Sequence, residues 1–249
     1  VLLEMGHPTH VFDYDKLDRK EILVRRAKKG EKLTSLDETK HELKKAQLLI
    51  TDGKIPIALA GVMGGLSTAV SEDTTTILVE SAYFNPITVR KSAKSLQMNT
   101  DASKRFERGA DPDGAEKGFW RVVALLQELA GGELVSKMVD EYPQKLKTSS
   151  ISLRRTELDL LLGCHIDQKE VDRILAALEI ESNWNGKDIW KCKPPSFRPD
   201  MEREIDLIEE IARIVGYDAI PSDENIYGAF RHAEPDPEKQ IEPIRSTLA

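Results

Sequence analysis

The sequence predicts an α+β fold: a β-rich, mixed-sheet unit with packed helices, then a small α+β unit of winged-helix type. Three observations carry this. Short apolar runs separated by Gly, Asp and Lys turns recur at roughly 8–12-residue spacing as far as Glu80. Capped, periodic helical segments take over from Asn85. After a polar stretch near residue 147, two helices, an Asn-Gly hairpin and a last helix form a second pattern.

The chain has 249 residues and 40% apolar content, enough for one large core or two smaller ones. No run of about 18 apolar residues exists, so no membrane-spanning helix is expected, and the N-terminus lacks a signal-like pattern. Cys164 and Cys192 cannot make a disulfide framework and no CxxC occurs; a reducing cytoplasm fits. The net charge of −7 argues against whole-surface binding of nucleic acid but leaves room for a local basic face.

Val1 to Met5 reads as a strand, without a start methionine, as in an excised fragment. Gly6 to Pro8 turns the chain, and His10 follows beside Val11-Phe12. Ile22–Ala27 and Leu33–Leu36 read as short strands around the charged turn Lys28 to Glu31, and Leu43–Ile50 leads into an Asp52-Gly53 turn. Asn85 caps a helix that begins at Pro86 and runs to about Leu96. Asn99 to Gly109 reads as a basic turn with Lys104, Arg105 and Arg108, suited either to phosphate or simply to solvent. Asp111-Pro112 begins the best helix of this half, ended by Gly131-Gly132.

A boundary near residue 147 divides the chain into units at 1–146 and 147–221. In the second unit, Ile151 to Leu153 is a strand and Thr156 to Leu162 a helix ended by Gly163. Asp167 opens the next helix, with Val171, Ile174, Leu175 and Leu178 as its stripe. Ile180–Trp184 and Lys187–Cys192 pair across Asn185-Gly186, and a helix from about Pro199 to Val215 stops at Gly216.

Two constellations carry chemistry. In Ile57 to Gly65, IALAGVMGG, a strand breaks into Gly61, Gly64 and Gly65, and a second apolar run at Ile77-Leu78-Val79 ends in Glu80. As neighbouring strands, they would set bare N–H groups opposite one carboxylate; alternatively this is only a tight turn with Glu80 on the surface. The second constellation is Asp206, Glu209 and Glu210, at i, i+3 and i+4 on the last helix, with Asp200 at its start. Four hard oxygen donors suit Mg²⁺. Arg203 and Arg213 on the same face suit plain ion pairs equally well.

GHPTHVFD at 6–13, LAGVMGG at 59–65, LVESAYFNP at 78–86, TDASKRFERGADP at 100–112 and PPSFRPDMEREIDLIEEIARIVGYDAIP at 194–221 together resemble the bacterial phenylalanyl-tRNA synthetase β subunit, in order and spacing. The first unit resembles its B3/B4 tRNA-editing domain, the second its B5 domain, and residues 222–249 the truncated start of the following catalytic-like region. The resemblance implies an α₂β₂ ligase that charges tRNA(Phe) using ATP and Mg²⁺, with the synthetic site and ATP on the α subunit and none of that site in this chain. It implies hydrolysis of mischarged Tyr-tRNA(Phe) in a pocket where Glu80 and the Gly61 backbone read the tyrosine hydroxyl. There His10 would position the ester or its water, with Ala60, Thr100 and Ala102 as lining. It implies Mg²⁺ ligands at Asp200, Asp206, Glu209 and Glu210, shared with the α subunit, and only weak or absent metal without it. The B5 unit would support assembly with α. His7 stands where the family usually has Gln, and Lys104 where His is common. The other class of function open to this chain is a noncatalytic RNA- or protein-binding module.

Overall fold

The computed structural model of the chain describes residues 1–146, 149–221 and 237–248. The first unit runs α1 (Leu2–Met5), β1 (Thr9–Asp13), β2 (Leu23–Arg26), β3 (Lys32–Thr34), β4 (Lys40–Glu42), β5 (Leu48–Thr51), β6 (Pro56–Leu59), β7 (Met63–Gly64) and β8 (Ile77–Ser81). Helices α2 (Pro86–Ser95), α3 (Asp101–Glu107) and α4 (Gly114–Ala130) follow. The second unit runs β9 (Ile151–Arg154), α5 (Arg155–Leu162), α6 (Gln168–Ala177), β10 (Glu181–Trp184), β11 (Ile189–Lys193) and α7 (Glu204–Val215). Beyond it lies α8 (Pro237–Leu248). The expected boundary at 147 falls outside the described residues, as does most of the expected third region, 222–249, apart from α8.

The α+β class is as expected, but the mixed sheet is not found. Every strand pair among the described residues is antiparallel. The first unit holds three separate sheets: β1-β8, β2-β5-β6-β7 and β3-β4. Hence β6 and β8, expected as neighbours, lie in different sheets. One apolar cluster joins these sheets to α2 and α3, with Phe12, Leu49, Ile57 and Leu59 almost wholly buried. Each such side chain contributes about 1.5–3 kcal/mol relative to exposure.

Several elements differ from the sequence expectation for identifiable reasons. Val1 to Met5 is not a strand. Leu, Glu and Met favour a helical turn, which Gly6 closes at φ 70°. The stretch 101–107 is a helix rather than a turn, held by a reciprocal box. Thr100 Oγ1 accepts from the Ser103 N–H at 3.0 Å, and Ser103 Oγ accepts from the Thr100 N–H at 3.0 Å. Helix α4 starts at Gly114, past Asp111-Pro112, because Asp111 Oδ1 is spent on the Asp113 amide. By contrast, α2 starts as expected, with Asn85 Oδ1 accepting from the Thr88 N–H at 3.0 Å.

The second unit packs α5, α6 and α7 on the sheet β10-β11-β9, whose third strand precedes the helices. Trp190 is fully buried; its Nε1–H donates to Asp172 Oδ1 at 2.6 Å, and the Arg155 guanidinium lies 4.5 Å from its ring centroid. The hairpin loop is longer than Asn-Gly alone. Asn185 Oδ1 accepts from the amides of Lys187, Asp188 and Ile189, so β11 begins only at Ile189.

Candidate functional site

A cavity of about 80 Å³ opens between the β1-β8 pair and the turn that joins β6 to β7. At roughly 10–15 Å³ per water-sized group, it has the scale of one side chain, not of a nucleotide. His10, Gly61, Gly64, Glu80, Ala102 and Phe106 are among its walls.

Strand register explains half of this arrangement. His10 and Glu80 are direct partners across β1 and β8, so their side chains emerge on one face. The glycines explain the other half. Gly61 sits at φ 69°, and a Cβ there would come within 2.9 Å of both Phe84 and Val89. The turn therefore needs Gly twice, for its backbone angle and for its tight backing. A Cβ on Gly64 would overlap the His10 imidazole, so the two sheets meet ring against backbone. Among the described residues, no hydrogen bond takes the Gly61 N–H, although the neighbouring amides of Ala60 and Val62 donate to the Leu48 and Leu59 carbonyls.

Burial sets the electrostatics. Desolvation pushes the Glu80 carboxyl up to about 7, and among the described residues no side chain pairs with it. Burial also pushes the His10 imidazole below its usual value. Its ring stands edge-on to Phe12 at 4.6 Å, and its Nε2 has no partner. An uncommitted carboxyl, an uncommitted amide and a neutral ring nitrogen thus share one small space.

Of the expected pocket residues, the structure gathers His10, Gly61, Glu80 and Ala102 at the cavity. Ala60 is instead buried in the apolar cluster behind the turn. The Thr100 hydroxyl donates to the Val62 carbonyl at 2.7 Å while it caps α3, so it ties the helix to the turn rather than facing the cavity. Phe106 was not singled out, and Gly64 was read only as a glycine of the turn; its contact with His10 depends on two sheets meeting, which local sequence does not show. His7 lies outside the cavity, buried against Gly114, Gly118 and Phe106. Lys104 is exposed and pairs with Asp101 at 3.4 Å.

The acidic constellation is arranged differently from the expectation. Helix α7 begins at Glu204, so Asp200 precedes it. Arg198, which sequence reasoning passed over, bridges Asp200 at 2.7 Å and the buried Glu210 at 2.8 Å. Arg213 reaches Glu210 at 2.5 Å, and Arg203 reaches Asp206 at 2.9 Å. Asp206 also accepts from the amides of Glu202 and Arg203. These hydrogen bonds and charges hold Asp200, Asp206 and Glu210 below the usual carboxylate range. Glu209 alone is exposed without a partner among the described residues. No group of three or more His, Cys, Asp or Glu among the described residues is placed to hold a metal ion. As arranged, the set fits guanidinium groups, not Mg²⁺.

Residues 1–131, more than half of the chain, match the family model described as the B3/4 domain. The chain belongs to that family. The B3/4 portion is followed by a match to the tRNA synthetase B5 domain at 151–217. The phenylalanine–tRNA ligase beta subunit of Thermotoga maritima is 44% identical over 222 residues, 89% of this chain and 28% of that protein. That of Protochlamydia amoebophila is 46% identical over 221 residues, again 89% and 28%. That of Halalkalibacterium halodurans is 40% identical over 252 residues, 100% and 31%. The chain therefore spans about three tenths of the length of these relatives. Among solved structures, an N-terminal fragment of the phenylalanyl-tRNA synthetase beta-subunit from Pyrococcus horikoshii covers 87% of this chain and 63% of its own at 15% identity. Its TM-score is 0.44, too low to support a shared fold. No helix among the described residues is long and apolar enough to cross a membrane.

Proposed function

We propose that the B3/4 portion is a tRNA-editing esterase that hydrolyses tyrosine wrongly esterified to tRNA(Phe). The convergence of Glu80, the Gly61 amide and His10 on one cavity carries this reading. A phenol both donates and accepts. Its O–H donates to Glu80, and its oxygen accepts from the Gly61 N–H. Phenylalanine would leave both partners desolvated and unpaired, and sites of this kind discriminate by roughly 10⁴–10⁵. His10, kept neutral by burial, offers Nε2 to a water beside the ester carbonyl. The ester is already activated, so a positioned water suffices and no covalent nucleophile is required.

The larger frame belongs to the same proposal. The names of the relatives support a place in the beta subunit of a phenylalanine–tRNA ligase; the resemblance extends the proposal to a cytoplasmic α₂β₂ enzyme whose α subunits carry the synthetic chemistry and ATP. The units read as an editing domain at 1–146, a B5 domain at 147–221 that assembles with α, and the start of a further region at 222–249. Any Mg²⁺ at the α7 face would require groups from the α subunit and release of Asp200 and Glu210 from Arg198.

The test is Glu80→Ala in the complete enzyme. Loss of a hydrogen bond to a charged group, about 1.5–3 kcal/mol, lowers Tyr-tRNA(Phe) deacylation roughly 10–150-fold. Charging with phenylalanine stays unchanged. Wild-type deacylation by the variant would refute the pocket assignment.

A further inference from the structure

A second surface of the B3/4 portion is built from lysines that the chemistry at Glu80 does not use. Charge is unevenly spread in this acidic chain. Between Arg19 and Lys54, eleven Lys and Arg stand against six Asp and Glu. Between Pro86 and Arg108, six stand against two. The turn after β2 brings Lys28 and Lys29 to the surface, and the turn before β5 brings Lys44 and Lys45. A cavity of about 460 Å³ lies between the two turns, with Leu43 buried in its wall and Lys29, Lys44 and Lys45 around it. One carboxylate, Glu42, also lines it.

These lysines are uncommitted. Among the described residues, none of the four has a carboxylate partner, and neither do Lys91 and Lys94 on the exposed side of α2. The acid nearest in sequence to the first turn, Glu31, is held by both arms of Arg25 at 2.9 and 2.6 Å. The B5 portion is the opposite case, with Arg154, Arg173, Arg198, Arg203 and Arg213 each on an acid.

The cationic pieces are contiguous. Arg26 donates to the Ala46 carbonyl and, at 3.4 Å, to Thr88 Oγ1 on α2. Gln47 Nε2 donates to Ser95 Oγ at 3.0 Å. Topology then sets their direction. Arg26 ends β2, Leu48 begins β5, and Leu59 ends β6, all at one end of an antiparallel sheet. The Ala60 amide donates to the Leu48 carbonyl at 3.0 Å, so Gly61 sits at that same end. The lysine-bearing turns and the glycine turn of the small cavity therefore share one edge of the molecule.

We propose that this lysine surface, formed by the turns around β3–β4 and by α2, is a seat for the phosphodiester backbone of an RNA strand whose esterified end presents its amino-acid side chain to the Glu80 cavity. The choice of RNA rests on the esterase reading above. The surface is a run of separate, solvated ammonium groups, which suits diffuse phosphates better than a shaped protein partner.

The experiment measures binding of deacylated tRNA transcript to the 249-residue chain as a function of salt. It compares wild type with a variant carrying Lys28→Gln, Lys29→Gln, Lys44→Gln and Lys45→Gln. All four side chains are exposed, so the melting temperature should hold. Affinity at about 50 mM salt should fall at least tenfold, and the slope of log K against log salt should shrink by about three, near 0.7 per lost phosphate contact. Lys169→Gln, Lys187→Gln and Lys191→Gln in the B5 portion should leave both unchanged. An unchanged slope in the quadruple variant, or an equal loss in the B5 variant, overturns the proposal. So does a quadruple variant that keeps RNA but loses the α subunit, since the surface would then be a protein interface. Glu80→Ala should bind tRNA as wild type does. Failure of the editing reading would therefore appear in deacylation alone, and failure of this one in binding alone.

Discussion

Replacing Glu80 by Gln should stabilise the B3/4 portion, by an amount that grows as pH rises from 4.5 to 7 and then levels off. The carboxyl's folded pKa, about 7, lies above the 4.5 of an exposed glutamate because burial disfavours its charge. Between those values the folded chain holds a proton that the unfolded chain has released. Stability is therefore fully present below pH 4.5, declines as pH rises, and is lost above 7. At 1.36 kcal/mol per unit, the shift corresponds to about 3 kcal/mol at pH 8. Gln keeps the shape and the hydrogen-bonding capacity but never ionises. Thermal unfolding at pH 5 and pH 8, followed by calorimetry, reads the difference. At pH 5, just above the unfolded value of 4.5, the variant should melt higher by only about 2–3 °C; at pH 8 it should melt higher by about 6–12 °C. His10 faces Glu80 across the strands, and His7 is buried nearby; both are pushed down by burial. Both histidines are present in both proteins, so the comparison isolates Glu80. A variant less stable than wild type at pH 8, or a gap of equal size at both pH values, would refute the buried-charge reasoning.

Gly61→Ala should cost about 2–4 kcal/mol, from positive φ plus overlap with Phe84 and Val89, whereas Gly30→Ala, at φ 84° in open space, should cost about 1; urea midpoints separate them. Arg198→Ala should destabilise the B5 portion by about 2 kcal/mol, because Glu210 stays buried with Arg213 alone. Arg203→Ala, in an exposed pair, should cost under about 1, with fluorescence of Trp184 and Trp190 reporting both unfolding curves. In acid the B5 portion should lose stability below about pH 4. Asp200 and Glu210 hold lowered pKa values, so the unfolded chain takes up their protons first. The same fluorescence, followed from pH 6 to pH 3, checks this.

Local chemistry made much of the fold legible. Asn85-Pro86 capped α2, and Gly131 and Gly163 ended their helices in the left-handed region, because caps depend on a few adjacent residues. Thr100 with Ser103 escaped notice since the usual box has Glu or Gln at the fourth position. The lone turn at Leu2–Met5 was misread because apolar residues suggest burial, yet Leu3 is 94% exposed. The site was legible as residues but not as architecture. Gly61 and Glu80 stand out in the chain, but their meeting depends on two separate sheets coming into contact, a long-range event with no local signature. Arg198 was missed for the same reason: its partner Glu210 lies twelve positions away.

The hydroxyl of Thr100 has a mechanical consequence. It donates to Val62 and accepts from Ser103, so a single oxygen pins the start of α3 to the glycine hairpin. Ala102 and Phe106 on that helix are thereby held in place relative to Gly61, across the cavity from β1 and β8. Serine at this position would keep the pin. Valine, of nearly the same volume, would withdraw it and let the start of α3 drift from the glycine hairpin.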